Sequence, residues 1–205
     1  MKIQVEAWEK EYEAKGMPTS VKQKPSGQVR YFLDFLKSKG ITQGNILDVG
    51  CGKGRNSLFL AENGFNVYAF DIVENVINIV SNQANERGLN IHTSLQSASE
   101  EWTFSNNFFD AVIDVCVFDN MLDNEMRKKY LTELKRVLKK DSFCLIYALL
   151  SEDDYYSSLL EISPKKDEDI LFDSNNDIWS KISGRSDLLK LFGKEFNVVE
   201  NELIE

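Results

Sequence analysis

An apolar strand signal, Asn45 to Val49, runs without a break into Gly50-Cys51-Gly52-Lys53-Gly54, and a helix signal starts at Arg55. This junction constrains the chain more than any other feature. Glycine reaches positive φ without a Cβ penalty and lets a ligand approach the backbone closely. The helix start that follows presents N–H groups with no partner inside the helix. A strand ending in such a turn predicts an open α/β sheet with its ligand beyond the carboxyl ends of the strands.

The downstream pattern agrees. Asn66 to Phe70 reads as a second strand with Asp71 at its end, and Val73 to Glu86 as a helix closed by Arg87-Gly88. Asn90 to Leu95 reads as a third strand. Asp110 to Val117 reads as a fourth, apolar except for Asp110 and Asp114. Asn124 to Leu138 is an amphipathic helix and Ser142 to Leu149 a fifth strand. Alternating strands and helices predict parallel pairing with right-handed crossovers. Strands apolar on both faces predict helices on both sides. The expected class is α/β: a Rossmann-like, doubly wound, mostly parallel sheet with helices on both faces.

The flanks are less regular. Gln4 to Lys15 reads as a helix with Trp8 and Tyr12 on one face, and Met17 to Lys24 as a loop. Ser26 is expected to cap a helix through about Lys39. Leu150 to Gly184 is an acidic stretch of weak pattern that holds Tyr155 and Tyr156. Ser186 is expected to cap a short helix to Phe192, and Phe196 to Leu203 reads as a sixth strand. The expected organisation is one domain over 1–205: a helical cap (1–40), a ligand-binding core (41–149), and a substrate-side insertion with a helix and strand (150–205).

Charge and cysteine content narrow the function. The chain carries 24 Lys+Arg against 33 Asp+Glu, a formal charge of -9. Such a chain repels phosphate backbones, which argues against nucleic acid as a partner. Three cysteines, Cys51, Cys116 and Cys144, make an odd number in apolar or glycine-rich runs. That fits a reducing, cytoplasmic setting better than a disulfide framework. His92 is the only histidine and there is no Cys-x-x-Cys pair, so no metal site is expected. No signal peptide is read at the N-terminus, and no apolar run approaches the ~20 residues of a membrane span.

Two details of the glycine loop discriminate between ligands. Gly50, Gly52 and Gly54 read GxGxG, and Arg55 stands at the last glycine of the dinucleotide fingerprint GxGxxG. Asp48, two residues before the first glycine, would repel a pyrophosphate yet could accept hydrogen bonds from an amino-acid ammonium group. Asp71, at the end of the second strand, is placed to bind both hydroxyls of a ribose. A nicotinamide-dependent oxidoreductase is a weak rival, with no Tyr-x-x-x-Lys pair in the chain.

The run ILDVGCGKGRNSLFLAENGFNVYAFDI resembles the class I S-adenosylmethionine (SAM)-dependent methyltransferases. GRNS followed by a helix and NGFNVYAFD is most similar to the tellurite-resistance and thiopurine-type small-molecule enzymes. The resemblance implies SAM as cofactor and S-adenosylhomocysteine (SAH) as product. It implies that the loop of Gly50, Cys51, Gly52, Gly54 and Asn56 contacts the methionine part. Asp48 would hold the amino group, Asp71 the ribose, and Ile72 would lie beside the adenine. Many relatives have an acid after the third strand for the adenine amino group. Aligning WTF (Trp102 to Phe104) puts Ala98 there, leaving Ser97, Ser99, Glu100 or a backbone group to serve. FFDAVIDVCVFDNM resembles the fourth-strand motif and implies Asp114 and Val115 near the methyl donor.

Methyl transfer from a sulfonium mainly needs alignment and exclusion of water. A soft acceptor such as sulfur, selenium or tellurium needs no base, whereas oxygen or nitrogen can. Asp119, Asp114 and Tyr147 are the candidate catalytic residues. Trp8, Tyr12, Tyr155 and Tyr156 are candidate lid residues over a small acceptor. The alternative is a non-catalytic SAM-binding regulator or partner subunit. A monomer or homodimer is expected.

Overall fold

The computed structural model describes residues 4–13 and 24–199. Its central sheet has five parallel strands: β1 (Asn45–Val49), β2 (Asn66–Asp71), β3 (Ile91–Leu95), β4 (Phe109–Val115) and β5 (Leu138–Tyr147), in the order β3-β2-β1-β4-β5. Alternation along the strands sorts side chains between two apolar layers. Ile46, Val67, Ala69, Ala111 and Ile113 face a core shared with α2 (Gly27–Ser38), α3 (Arg55–Glu62) and α4 (Glu74–Arg87). Leu47, Val49, Phe70 and Val112 face the other layer, with α5 (Asn124–Val137), α7 (Arg185–Phe192) and Trp102. This is the doubly wound α/β arrangement expected from the sequence.

Local signals set most boundaries. Ser26 caps α2, its Oγ accepting from Val29 N at 3.3 Å. Gly88, at φ 63, ends α4 in the left-handed conformation. Asp123 caps α5 by accepting from Met126 N at 2.8 Å.

The first helix, α1 (Val5–Glu13), lies inside the expected span; Lys15 and Met17–Gln23 fall outside the described residues. It is held far from its own sequence neighbourhood. Gln4 Nε2 donates to Trp179 O at 2.8 Å, and Gln4 Oε1 accepts from Trp179 N.

The stretch of weak pattern is structured. It contains α6 (Asp154–Glu161) and an antiparallel hairpin of β6 (Ile170–Asp173) and β7 (Ile178–Lys181). Strands of four residues are too short for a period-2 signal to stand out. Two further expectations are corrected. Helix α7 starts at Arg185, one residue before Ser186, because Glu152 Oε1 accepts from Arg185 N at 2.9 Å and caps the turn from elsewhere in the chain. Phe196 to Val199 form no strand: Phe196 turns back towards Phe192, ring centroids 6.4 Å apart, while Val198 and Val199 are exposed. The rest of that expected strand lies outside the described residues.

Candidate functional site

From β1 the chain winds to β2 on one side of the sheet, and from β4 to β5 on the other. The crevice beyond the carboxyl ends of β1 and β4 is therefore the topological switch point, where open α/β sheets bind ligands.

The glycine loop forms one wall. Gly50, Gly52 and Gly54 all have positive φ, at 59°, 52° and 80°. Their surroundings differ. A Cβ on Gly50 would lie 2.5 Å from Val117 Cγ2, and one on Gly54 2.6 Å from Val80 Cγ2. These two pack the loop against the body of the protein. The atoms nearest a Cβ on Gly52 would be those of the Tyr12 side chain, at 3.3 Å. Gly52 is thus the glycine that faces the α1 cover. Cys51 is buried, and its N–H donates to Phe70 O at 2.9 Å, continuing the pairing of β1 with β2.

Asp71 and Asp48 converge beneath this loop. Asp71 is buried, and its Oδ2 accepts from Gly52 N at 2.9 Å and Tyr12 Oη at 3.3 Å. Its Oδ1 accepts from Val73 N at 3.0 Å. Burial raises the Asp71 carboxyl, and these donors pull it back. Asp48 Oδ2 accepts from Ser57 Oγ at 2.5 Å, and burial pushes this carboxyl up to about 7. Asn56 Oδ1 accepts from Ser26 N at 3.0 Å, so it joins the start of α2 to α3.

Just after β2, Ile72 is half-buried beside Asp71. Ser97 is buried, and its Oγ lies 2.9 Å from Ser99 Oγ. Ala98 is part of the core beside Trp102, whose Nε1 donates to Ala98 O at 3.2 Å. Glu100 is exposed.

The opposite wall follows β4. Asp114 is fully buried; Oδ2 accepts from Tyr130 Oη at 2.5 Å and Oδ1 from Val117 N at 2.8 Å and Phe118 N at 3.3 Å. Burial pushes it up to about 6. These bonds fasten the strand end to the turn that follows. Val115 is half-buried. Cys116 has φ 63, uncommon for a residue with a Cβ, and its N–H donates to Tyr147 O at 2.8 Å. Asp119 sits on a 3-10 turn, Phe118–Asn120, and is almost wholly buried. Its Oδ2 accepts from Leu149 N at 3.0 Å, and burial pushes the carboxyl up to about 8. The half-buried Tyr147 hydroxyl is raised by burial and by the nearby Cys116, Asp153 and Asp119.

Of the aromatic residues, Tyr12 reaches the site, with Trp8 beside it at 5.7 Å between centroids. Tyr156 is half-buried and its hydroxyl is raised chiefly by burial, with Cys116 and Tyr147 nearby, whereas Tyr155 is largely exposed. Three partners escaped the sequence reading: Ser57 on Asp48, Tyr130 on Asp114 and Tyr12 on Asp71. Each contact joins residues that are distant or unpatterned in sequence. The helical spacing of Tyr12 with Trp8 was the one available hint.

The buried acids imply a pH dependence. Asp48, Asp114 and Asp119 bind their protons more tightly folded than unfolded. The folded state therefore holds more protons than the unfolded state between about pH 4 and 8, and stability declines as pH rises through that window. Thermal unfolding is expected at a lower temperature at pH 8 than at pH 5.5; an equal or higher midpoint at pH 8 would contradict these assignments.

The site favours a cationic or neutral ligand over a pyrophosphate. Three buried carboxyls, Asp48, Asp71 and Asp114, surround the crevice. Such acceptors suit a ligand that brings cationic or hydroxyl groups, and the Tyr12 side chain covers the side of Gly52 that a Cβ would occupy.

Comparison with known proteins agrees. Residues 46–141 match the methyltransferase-domain family. The chain is 32% identical over 117 residues to a probable S-adenosyl-L-methionine-dependent methyltransferase, TehB, of Haemophilus influenzae, covering 57% of this chain and 40% of the relative. It is 34% identical over 142 residues to a putative methyltransferase of Geobacillus sp., covering 66% and 52%. The chain thus spans about half or less of the length of these curated relatives. The fold is shared with the PH0226 protein of Pyrococcus horikoshii, at TM-score 0.73 and 22% identity over 96% of this chain and 93% of that one. It is also shared with a SAM-dependent methyltransferase of Methanosarcina mazei, at TM-score 0.66 and 23% identity over 75% and 79%. Glycine loop, strand-end acids and sheet order coincide with these likenesses: residues 46–141 match a methyltransferase domain, and the chain is similar to SAM-dependent methyltransferases.

Proposed function

We propose that this chain transfers a methyl group from SAM to an oxygen or nitrogen atom of a small-molecule acceptor, with Asp119 as the base. The observation that carries this reading is Asp119 itself: a buried carboxyl raised to about 8, beyond the end of β4 and close to Tyr147. A base works best when its pKa lies near the working pH. When bound, SAM supplies an electrophilic methyl on a sulfonium that departs as the neutral thioether of SAH.

This chain's residues supply the rest. Asp71 accepts hydrogen bonds from the ribose, Asp48 from the ammonium, and the Gly50–Gly54 loop lies along the methionine part. Ser97 and Ser99 offer hydroxyls towards the adenine. Asp119 takes the proton that the acceptor loses as its new bond to carbon forms. Tyr147 and Tyr156 line the acceptor side. A small acceptor is favoured because α1 and the β6–β7 hairpin are joined through Gln4 and Trp179, and Tyr12 of α1 reaches over the glycine loop. The net charge of -9 argues against a nucleic-acid acceptor.

The test is SAH production from SAM with panels of small phenols, amines and thiols. Asp119→Asn is expected to lower kcat about 10²- to 10⁴-fold with a phenol or amine, with SAH affinity unchanged by calorimetry. Full turnover in that variant would remove Asp119 as base. Activity restricted to thiols would replace the reading with one that needs no base.

Tyr12 adds a prediction about the cofactor. Its hydroxyl occupies the same Asp71 oxygen that accepts from Gly52 N. Ribose hydroxyls compete for that oxygen. Tyr12→Phe keeps the ring and removes the competing donor, so SAH is expected to bind about two- to fivefold more tightly, roughly 0.4–1 kcal/mol. Weaker binding would show instead that the hydroxyl contacts the cofactor.

A further inference from the structure

The one buried cation of the described residues lies behind the acceptor side. Arg127, on α5, is only 7% exposed. Nε donates to Met121 O at 3.0 Å, Nη1 to Ser183 Oγ at 2.9 Å and Nη2 to Lys181 O at 3.1 Å. The guanidinium carbon stands 4.7 Å from the centre of the Phe118 ring. Phe118 and Met121 flank Asp119 in sequence, while Lys181 ends β7 and Ser183 follows it. One planar fork thus joins the turn carrying Asp119 to the end of the hairpin.

Resting on the proposed role of Asp119, we propose that Arg127 is a positioning residue for methyl transfer: it fixes the Asp119 turn against the hairpin and supplies the positive charge that keeps the Asp119 carboxylate available as a base. Burial pushes this carboxyl up to about 8, and only its ionised fraction can take a proton, so a further rise would cost activity. Asp114, buried near the end of β4, adds negative charge that works in the same direction. The Leu149 N–H that Asp119 accepts from opposes them first, and the charge of Arg127 adds to it. The other groups facing Asp119 are Cys116 on the β4 end, Tyr130 on α5 and Tyr147 on β5, all raised by burial and therefore neutral at ordinary pH. On its far side Arg127 faces Asp169 and Lys181, which carry opposite charges. A groove of about 220 Å³ beside it is lined by Asp187, Lys190 and Lys194 as well. The fork geometry matters as much as the charge. A lysine ammonium is a point charge and cannot span three separate acceptors as the fork does.

The experiment is a carbon-13 NMR titration of the full chain labelled at aspartate carboxyls, with Asp119→Asn identifying the Asp119 resonance. Arg127→Gln is expected to raise the Asp119 midpoint by about one pH unit. Arg127→Lys is expected to keep the midpoint within about 0.3 unit, yet to speed amide hydrogen exchange at residues 118–121 and 178–183 about tenfold, by local opening. An unchanged midpoint in a folded Arg127→Gln protein overturns the charge role. Should that variant fail to fold, Arg127→Lys decides, and wild-type exchange at both segments overturns the positioning role. None of these readouts needs an acceptor. Failure of the base reading appears separately, as full turnover in Asp119→Asn, and leaves the Arg127 result to stand or fall by itself.

Discussion

Asp71→Ala is expected to weaken SAH binding between about tenfold and a hundredfold by calorimetry, as a charged acceptor worth about 1.5–3 kcal/mol is lost. Two effects add. The ribose loses its carboxylate, and the loop loses its tie, because Asp71 also accepts from Gly52 N and Val73 N. Asp71→Asn separates them. The amide retains one acceptor oxygen for a backbone donor but carries no charge, so it should fall between wild type and alanine. Unchanged affinity in the alanine variant would refute the ribose assignment.

Gly52→Val is expected to abolish detectable SAH binding while the chain stays folded. The added side chain projects towards the Tyr12 ring and not into the core. The left-handed φ of 52° adds strain of about 1–2 kcal/mol for a residue with a Cβ. Gly54→Val makes the informative contrast. Its Cβ would overlap Val80, a fully buried residue of α4, so it should destabilise the fold by several kcal/mol, roughly 3 or more, through overpacking and backbone strain together. Circular dichroism melts check the two variants side by side. If Gly52→Val unfolds as readily as Gly54→Val, the loop is a packing element and not a ligand cradle. If Gly52→Val binds SAH like wild type, the cradle lies elsewhere.

The contrast between these glycines shows how far the sequence reaches. GxGxG signals three backbone positions free of Cβ constraint, and all three have positive φ. It does not say which packs inward and which faces a ligand. That depends on Val117 arriving from the turn after β4, Val80 from α4 and Tyr12 from α1, residues 26 to 67 positions away from the glycines they meet. The acids behave alike. Asp48 and Asp71 were legible because a carboxylate at a strand end beside a glycine turn has few structural uses. Asp114 and Asp119 read as equivalent candidates. Folding separates them, committing both Asp114 oxygens to Tyr130 and the β4 turn, while Asp119 accepts from Leu149 N through Oδ2.

The sequence by itself determined the alternation of strands and helices, the parallel doubly wound sheet, the glycine turn and the acids at the strand ends. These are written in local periodicity and turn chemistry, with interactions a few residues apart. Only the tertiary structure decided the β6–β7 hairpin, the staple of Gln4 on Trp179, the Tyr12 contact with Asp71 and the Arg127 fork behind Asp119. Each joins groups separated by tens of residues or more, or strands too short to leave a period. Their stability comes from burial and from hydrogen bonds that exist only once the sheet has brought the partners together.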